Sequence, residues 1–181
     1  RKLLNQEEIN DVDIAINLDP EEVKNILNKS KIKFFETGIS HGTITVIINN
    51  LKFEITTLRK DISTDGRHAD VEFISDWEID AKRRDFTINA IYANLRGEIY
   101  DPLGGSQDLR EGIVKFIGDP DKRIKEDYLR ILRYFRFYTQ YSKHKHENET
   151  IKAIKKNLKE LFKISKERIL DEFFKILDLK N

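Results

Sequence analysis

Two aspartates near the start of this 181-residue chain, Asp11 and Asp13, have a type and spacing suited to chemistry. They lie at the edge of an apolar segment, residues 12–16, that alternates like a strand. Residues two apart in a strand share a face, with Cα atoms about 6.5 Å apart. Carboxylates placed this way can share divalent cations about 3.5–4 Å apart, an arrangement used for in-line phosphoryl transfer. The pair alone also fits a turn, a helix cap or solvated surface.

A third carboxylate, Glu54, lies inside residues 51–57, an otherwise apolar and threonine-rich segment that predicts a strand. An unpaired carboxylate is costly there unless it points to solvent. Glu54 is therefore either a third acidic group of the same site or an ordinary residue on a half-exposed strand.

Residues 82–90, with the sequence KRRDFTINA, place basic side chains including Arg84 beside Asp85 and Asn89. An arginine can donate two parallel hydrogen bonds to phosphate oxygens, and aspartate and asparagine can hold a sugar hydroxyl. The cluster thus suits a nucleoside triphosphate. The alternative is a helix C-terminus whose cations favour the helix dipole.

The last constellation is Glu126, Asp127, Arg130 and Arg133. On a predicted helix, Asp127 and Arg130 are three residues apart and share a face. The carboxylate accepts and the guanidinium donates hydrogen bonds, so together they can read the edge of a nucleobase. The alternative is a surface ion pair contributing about 0.3–0.5 kcal/mol.

Turn and capping signals indicate the elements that must position these residues. Asp19-Pro20 predicts the start of a helix that runs to about residue 29, with Val23, Ile26 and Leu27 facing a core. Asn49-Asn50 predicts the turn of a hairpin between strands at 42–48 and 51–57.

The rest of the chain predicts further strands followed by helices. Residues 60–75 predict a loop, and Ser75 predicts the N-cap of a helix that ends near residue 84. Strands are expected at 88–95, 97–101 and 113–117. After Asp119, apolar spacing predicts one long helix over 124–137 and two more over 151–162 and 169–177. The pattern is α+β followed by all-α.

Composition limits the class of protein. No run approaches the roughly 20 apolar residues of a membrane span, and the absence of cysteine excludes disulfides and cysteine-bound zinc. Residues 1–118 carry 16 basic and 21 acidic side chains, whereas residues 119–181 carry 17 and 11. The acidic half suits divalent cations and the basic half suits polyanions. The absence of methionine, even at position 1, predicts a piece of a longer protein.

Five sequence strings, in order and spacing, carry a family resemblance: DVDIA, FEITTLR, DGRHADVEF, RRDFTINA and EDYLRILRYFRF. They resemble the class II tRNA nucleotidyltransferases, the CCA-adding enzymes, and the related bacterial poly(A) polymerases. The likeness covers nearly the whole chain. It implies a polymerase-β-like nucleotidyltransferase head, a mixed sheet flanked by helices, over residues 1–118. It implies an all-α neck and the start of a body domain over residues 119–181.

The resemblance also implies roles for named residues of the front half. Asp11 and Asp13 match the family's metal-binding carboxylates, and Glu54 lies where the family has its third acidic residue. Residues 65–67, Asp65-Gly66-Arg67, match a flexible-loop motif that helps the enzyme change from CTP to ATP. Arg1 is all that remains of a Gly-Gly-x-Val-Arg-Asp run that cradles the triphosphate, and Lys2 stands at its usual aspartate.

Further along, the resemblance implies the nucleotide-binding set. Arg84, Asp85 and Asn89 match residues that contact the phosphates and the ribose. Asp127 and Arg130 match the protein template that pairs with the incoming base. Glu126 and Arg133 are expected to support this template, and Arg133 is counted with the nucleotide-binding residues.

The implied function is template-independent addition of CCA, from CTP and ATP, to the 3′ end of tRNA. Two Mg²⁺ ions would act in phosphoryl transfer, and pyrophosphate would be released. The alternatives are a poly(A) polymerase, an A-only adding enzyme of the same family, and a non-catalytic RNA-binding or nucleotide-sensing module. A cytoplasmic protein is expected, with mitochondrion or plastid as alternatives and no membrane as a partner.

Overall fold

The computed structural model describes residues 11–64 and 69–179, and the side chain of Asp11 is outside this description. The chain divides into two compact units. The first contains residues 11–63 and 69–83, and the second contains residues 84–179. The elements of the first unit are β1 (Asp11–Ile16), α1 (Pro20–Lys29), β2 (Phe34–Gly38), β3 (Thr43–Ile48), β4 (Leu51–Thr57), β5 (Arg59–Thr64), β6 (Ala69–Phe73) and α2 (Trp77–Arg83).

A mixed four-stranded sheet forms the centre of the first unit. Its strand order is β1-β4-β3-β2, in which β1 and β4 run parallel and the other neighbours run antiparallel. This sheet with its flanking helix confirms the predicted α+β head. The β3–β4 hairpin turns at Asn49 and Asn50, which have φ angles of 50° and 65°. Asparagine tolerates this left-handed region, so the predicted turn is confirmed.

Helix α1 covers one face of the sheet. Asp19 caps it as predicted, because its Oδ1 accepts a hydrogen bond from the Glu21 N–H and the Glu22 carboxylate accepts one from the Asp19 N–H. Val23 and Leu27 are buried in the core. Ile26, predicted to face the core, is exposed, since it lies one position off the buried i, i+4 stripe.

Two predictions after the sheet are wrong. Within the loop predicted over residues 60–75, residues 60–64 and 69–73 belong to β5 and β6, which pair as a two-stranded ribbon. Both faces of the ribbon carry polar residues, which conceals the period-2 pattern of a strand. The N-cap of α2 is Asp76 rather than Ser75, since Asp76 Oδ1 accepts from the N–H groups of Glu78 and Ile79.

The second unit is mainly helical. Its elements are β7 (Tyr92–Ala93), β8 (Ile99–Tyr100), α3 (Gly105–Glu111), α4 (Pro120–Glu126), α5 (Arg130–Tyr141), α6 (Asn148–Asn157) and α7 (Lys166–Leu177), with 3-10 turns at Thr87–Asn89 and Leu158–Lys163. One buried cluster joins residues from the segment before α4 to residues of the helices, and its members include Phe86, Val114, Phe116, Ile131 and Phe137.

This shared core differs from the predicted domain division. A boundary at 118/119 falls inside the second unit, because residues 86–116 pack into the same cluster as α4, α5 and α6. The division into 1–118 and 119–181 stays a prediction about the family's domains. None of the helices in the described part of the chain is long and apolar enough to cross a membrane.

The strand predictions for this unit are only partly right. Residues 88–95 and 97–101 contribute just the short pair β7–β8, and residues 113–117 contribute a single bridge between Phe86 and Phe116. Helix α3 has no counterpart among the predicted elements, because glycines such as Gly104 and Gly105 are typical of turns and loops. Gly105 is required there, since a Cβ atom would lie 2.1 Å from the Thr87 carbonyl oxygen.

The predicted long helix over 124–137 is two helices, α4 and α5. Asp127 lies between them in an extended conformation, with φ −156° and ψ 108°. Its Oδ1 accepts a hydrogen bond from the Leu129 N–H at 3.1 Å. This local bond offers the backbone an alternative to the helix, which explains the break.

Candidate active site

The sheet of the first unit brings two of the predicted carboxylates together. Asp13 and Glu54 are register partners on the parallel strands β1 and β4, and Glu54 is in turn opposite Thr45 on β3. The neighbours of Glu54 on β4, Phe53 and Ile55, pack toward α1. Because side chains alternate along a strand, the Asp13–Glu54 row lies on the opposite face. The backbone of Asp11 pairs with Lys52.

The donor set of this row suits a hard divalent cation. Asp13 is exposed and Glu54 is half-buried, so both carboxylates are accessible from solvent. Lys52 forms an ion pair with Glu54, which balances part of the acidic charge. Carboxylate oxygens are the ligands that Mg²⁺ prefers. Among the side chains that the structure describes, no three His, Asp or Glu residues form a metal-binding group.

In the second unit, the 3-10 turn at Thr87–Asn89 is organised by Asp85. The Asp85 carboxylate accepts hydrogen bonds from the Phe86 N–H at 2.9 Å and the Asn89 amide at 2.8 Å. Its other oxygen accepts from Nε and Nη2 of Arg133 on α5, both at 2.7 Å. Asp85 is 7% exposed, so its oxygens face the protein.

This network determines the charge state of Asp85. Burial alone would raise the pKa of its carboxyl group. The charge of Arg133, the hydrogen bonds from Asn89 and Arg133, and the charge of Arg130 outweigh burial and hold the pKa of Asp85 below its ordinary value. Asp85 is therefore a buried anion that holds Asn89 and Arg133 in fixed orientations.

The basic residues of the predicted phosphate-binding cluster have different kinds of partner. Arg83 binds Asp80 at 2.8 Å and Lys82 binds Glu78 at 2.8 Å, so both have partners on their own helix. Arg84 donates to the Asn89 carbonyl oxygen at 3.1 Å and lies over the Tyr92 ring, 5.1 Å from its centroid. Arg84 and Asn89 thus form one polar surface with half-buried side chains.

Asp127 and Arg130 do not share a helix as predicted, because Asp127 precedes α5. Arg130 donates to the Glu126 carboxylate at 2.6 Å and to the Arg123 carbonyl oxygen at 3.0 Å. Arg123 binds the same Glu126 oxygen at 2.6 Å. Glu126 therefore holds Arg130, in agreement with its expected supporting contact.

One contact of Asp127 was not predicted. Asp127 Oδ2 accepts a hydrogen bond from Nη2 of Arg168 on α7 at 2.7 Å. Arg168 is 41 positions away and belongs to a helix interpreted only as apolar packing. It is the one arginine after Arg136 in a lysine-rich segment. An arginine among lysines was the sequence signal for this contact, because the planar guanidinium suits an ion pair with a carboxylate better than the ammonium of lysine does.

Several predicted site residues lie outside the described residues. These are Arg1 with its neighbour Lys2 and the loop motif Asp65, Gly66 and Arg67. The roles assigned to them stay predictions.

Comparisons with known proteins identify the family to which this chain belongs. The family described as Poly A polymerase head domain matches residues 1–115. A second family, described as Probable RNA and SrmB-binding site of polymerase A, matches residues 145–181.

Among curated proteins, the chain is 47% identical over 180 residues to CCA tRNA nucleotidyltransferase 1, mitochondrial, of Danio rerio, covering 98% of the chain and 42% of that protein. It is 45% identical over 178 residues to the CCA-adding enzyme of Lactobacillus helveticus, covering 97% and 43%. The chain thus spans less than half the length of these relatives.

Among solved structures, it matches the Bacillus stearothermophilus CCA-adding enzyme in complex with CTP. The TM-score is 0.84 at 36% identity, covering 97% of this chain and 42% of that one. It also matches a tRNA nucleotidyltransferase complexed with a primer tRNA and an incoming ATP analog. That TM-score is 0.74 at 28% identity, covering 98% and 53%.

Proposed function

Since this chain belongs to the Poly A polymerase head domain family, we propose that it carries the catalytic and nucleotide-selecting residues of a CCA-adding tRNA nucleotidyltransferase. Such an enzyme transfers nucleotides from CTP and ATP to the 3′ end of tRNA without a nucleic-acid template. The observation that carries the proposal is the pairing of Asp13 with Glu54 on adjacent parallel strands. The names of the relatives support the substrate class.

Asp11 and Asp13, with Glu54 as a third acidic group, are the residues that would hold Mg²⁺. Bound there, the metal would lower the pKa of the primer 3′-hydroxyl and stabilise the leaving pyrophosphate. The chain itself supplies oxygen donors on a rigid strand pair, and Lys52 neutralises Glu54 when no cation does. The geometry thus fits a hard cation.

Arg84, Asn89 and Arg133 are the proposed contacts to the phosphates and ribose. Asp85 orients Asn89 and Arg133 by using both of its own oxygens, so we assign it a positioning role. Positive side chains held in advance can neutralise charge that develops on the α-phosphate without reorganising.

Asp127 and Arg130 are the proposed base readers. A carboxylate accepts from the exocyclic amino group of C or A, and an arginine donates to the adjacent ring nitrogen. U and G present a carbonyl oxygen and a ring N–H instead, so the same pair disfavours them. Glu126 holds Arg130, the donor of this pair, by accepting a hydrogen bond from its guanidinium.

Two further observations bear on the RNA partner and on the compartment. The basic segment that matches an RNA-binding family fits a tRNA partner through its phosphates. A cytoplasmic location stays a prediction, and the vertebrate relatives named as mitochondrial favour the mitochondrial alternative.

The test measures incorporation of nucleotides into tRNA by the full chain. The protein is incubated with Mg²⁺ and a tRNA that lacks its terminal CCA, with each labelled nucleoside triphosphate alone and then with CTP and ATP together. We expect CTP to be used first, then ATP, with addition stopping after three nucleotides.

Other outcomes select the alternatives. Long oligo(A) products would identify a poly(A) polymerase, which the name of the matching family also fits. Use of ATP only after CC is supplied in the tRNA would identify an A-only enzyme. No incorporation of any nucleotide would contradict catalysis and favour a sensing module.

A further inference from the structure

We propose that Arg168 on α7 is a positioning residue that fixes the Asp127 carboxylate and thereby enforces selection of amino-bearing bases. The inference rests on the proposed function, in which Asp127 reads the incoming base. It adds to the site a residue from a different helix, 41 positions along the chain.

Asp127 needs an external anchor because its backbone does not supply one. It lies between α4 and α5 in an extended conformation, and its carbonyl oxygen accepts a hydrogen bond from the Arg130 N–H at 3.0 Å, which holds the backbone and leaves the side chain to be fixed by other groups. One carboxylate oxygen accepts from the Leu129 N–H at 3.1 Å, and the other accepts from Arg168 at 2.7 Å. With a contact on each oxygen, the plane of the carboxylate is fixed.

The anchored carboxylate can still accept a further hydrogen bond. Each carboxylate oxygen has two lone-pair sites, and each of these two contacts uses one. The Asp127 side chain is 21% exposed and that of Arg168 is 29% exposed. An amino group can therefore reach the carboxylate without displacing the arginine.

The two proposed base-reading residues, Asp127 and Arg130, are each held by an ion pair. Arg130, the donor, is held by the carboxylate of Glu126, and Asp127, the acceptor, is held by the guanidinium of Arg168. Each reading group thus has an oppositely charged partner. A charged partner keeps the reading group in one orientation.

Orientation matters most for rejection of the wrong base. A fixed carboxylate that meets the carbonyl oxygen of U or G places two acceptors against each other with no donor between them. A carboxylate released from Arg168 can rotate away and relieve that repulsion. Loss of Arg168 should therefore increase use of the wrong nucleotides more than it decreases use of the right ones.

The experiment measures nucleotide choice in Arg168→Gln. For the full chain and a tRNA lacking CCA, kcat/KM is determined with CTP and with UTP as separate substrates. We expect the CTP:UTP ratio to fall roughly tenfold, since correct hydrogen-bond pairing of a base contributes about that much discrimination or more. The ratio does not depend on the active enzyme concentration, so partial unfolding leaves it unchanged.

Arg168→Lys gives a graded comparison. Lysine keeps the charge and loses the planar fork, so the CTP:UTP ratio should lie between those of the wild type and Arg168→Gln. A ratio equal to that of Arg168→Gln would still fit orientation by the fork. A wild-type ratio in both variants would overturn the proposal.

The matched control is Arg136→Gln. Arg136 on α5 binds the buried carboxylate of Glu172 on α7, so it holds α7 in place through another arginine–carboxylate pair that does not involve Asp127. Its loss should lower the unfolding temperature and leave the CTP:UTP ratio unchanged. An equal fall in the ratio would show that α5–α7 packing, and not the Asp127 anchor, controls selection.

A double mutant separates direct from indirect action. If Arg168 acts through Asp127, adding Arg168→Gln to Asp127→Ala should change the ratio no further, and independent effects would instead multiply. Failure of the proposed function is recognised separately, because the wild-type chain would then not add CTP to the tRNA. An active wild type with unchanged discrimination in Arg168→Gln contradicts only this inference.

Discussion

The two units of the molecule hold their polar residues in different ways. In the first, Asp13 and Glu54 are placed by backbone register between β1 and β4, on a face accessible to solvent. In the second, Asp85 and Asp127 are placed by side-chain partners, chiefly Arg133 and Arg168.

The difference predicts where each kind of substitution acts. The register of the strands does not depend on an exposed side chain. Substitutions of Asp13 or Glu54 should therefore affect the chemistry and leave the free energy of unfolding nearly unchanged. A buried ion pair leaves an uncompensated charge when one partner is removed. Changes in the second unit should therefore affect folding together with function.

The largest effect is expected for Asp13→Asn. Removing one negative oxygen weakens the proposed metal site, so kcat/KM for CTP addition should fall on the order of 10³-fold, about 4 kcal/mol. The free energy of unfolding should change by less than about 0.5 kcal/mol, because Asp13 is exposed. The measurements are single-nucleotide incorporation and urea denaturation.

The matched control for that variant is Glu36→Gln, which removes an exposed carboxylate from β2 of the same sheet. Its activity should equal that of the wild type. Retained activity in Asp13→Asn would contradict a role of Asp13 in the chemistry. Unfolding of that variant would contradict placement of the carboxylate by strand register alone.

The next effect is expected for Arg133→Gln. The variant leaves the Asp85 carboxylate buried without its charged partner, so the free energy of unfolding should fall by about 3 kcal/mol. Arg96→Gln, an exposed arginine of the same unit, should change it by less than about 0.5 kcal/mol. Adding Asp85→Asn to Arg133→Gln should recover part of the loss, and a further loss would show that the charge is not the cause.

The Asp85 network also predicts a pH dependence of stability. Its folded-state pKa lies below the ordinary value, because Arg133 and the hydrogen bonds from Asn89 and Arg133 outweigh burial. The stabilisation is therefore complete above the unfolded-state pKa and is lost as the pH falls through the folded-state pKa.

Urea denaturation of wild type and Asp85→Asn from about pH 7 to about pH 3 crosses the unfolded-state pKa of a carboxyl group, where this loss begins. The wild type should lose stability on acidification more steeply than Asp85→Asn, and the difference between the two should decrease. Parallel curves would show that Asp85 is not a stabilising anion.

Local signals made much of the first unit predictable. The Asp19 capping box, the Asn49-Asn50 turn and the apolar alternation of β1 and β4 each specify an element from neighbouring residues. Parallel pairing of β1 with β4 joins residues about 40 positions apart, so placing Glu54 beside Asp13 required the family resemblance.

The second unit was less predictable because its contacts are non-local. The break at Asp127 depends on a side-chain hydrogen bond that competes with helix continuation, which apolar periodicity does not report. The Arg168 contact depends on how α7 packs. Spacing left Asp127 and Arg130 as either base readers or a surface ion pair, and the family resemblance favoured the first. Only the structure identified the contact that holds Asp127.

The smallest effect is expected in the first unit, at the start of α1. Asp19→Ala removes the cap of α1 and should destabilise the first unit by about 1 kcal/mol. Asp19→Ser keeps an acceptor oxygen and should lose only a fraction of that. Because α1 packs on the sheet face opposite Asp13 and Glu54, the kcat of the folded protein should be unchanged in both variants. A fall in kcat without unfolding would mean that α1, and not strand register alone, places the carboxylates.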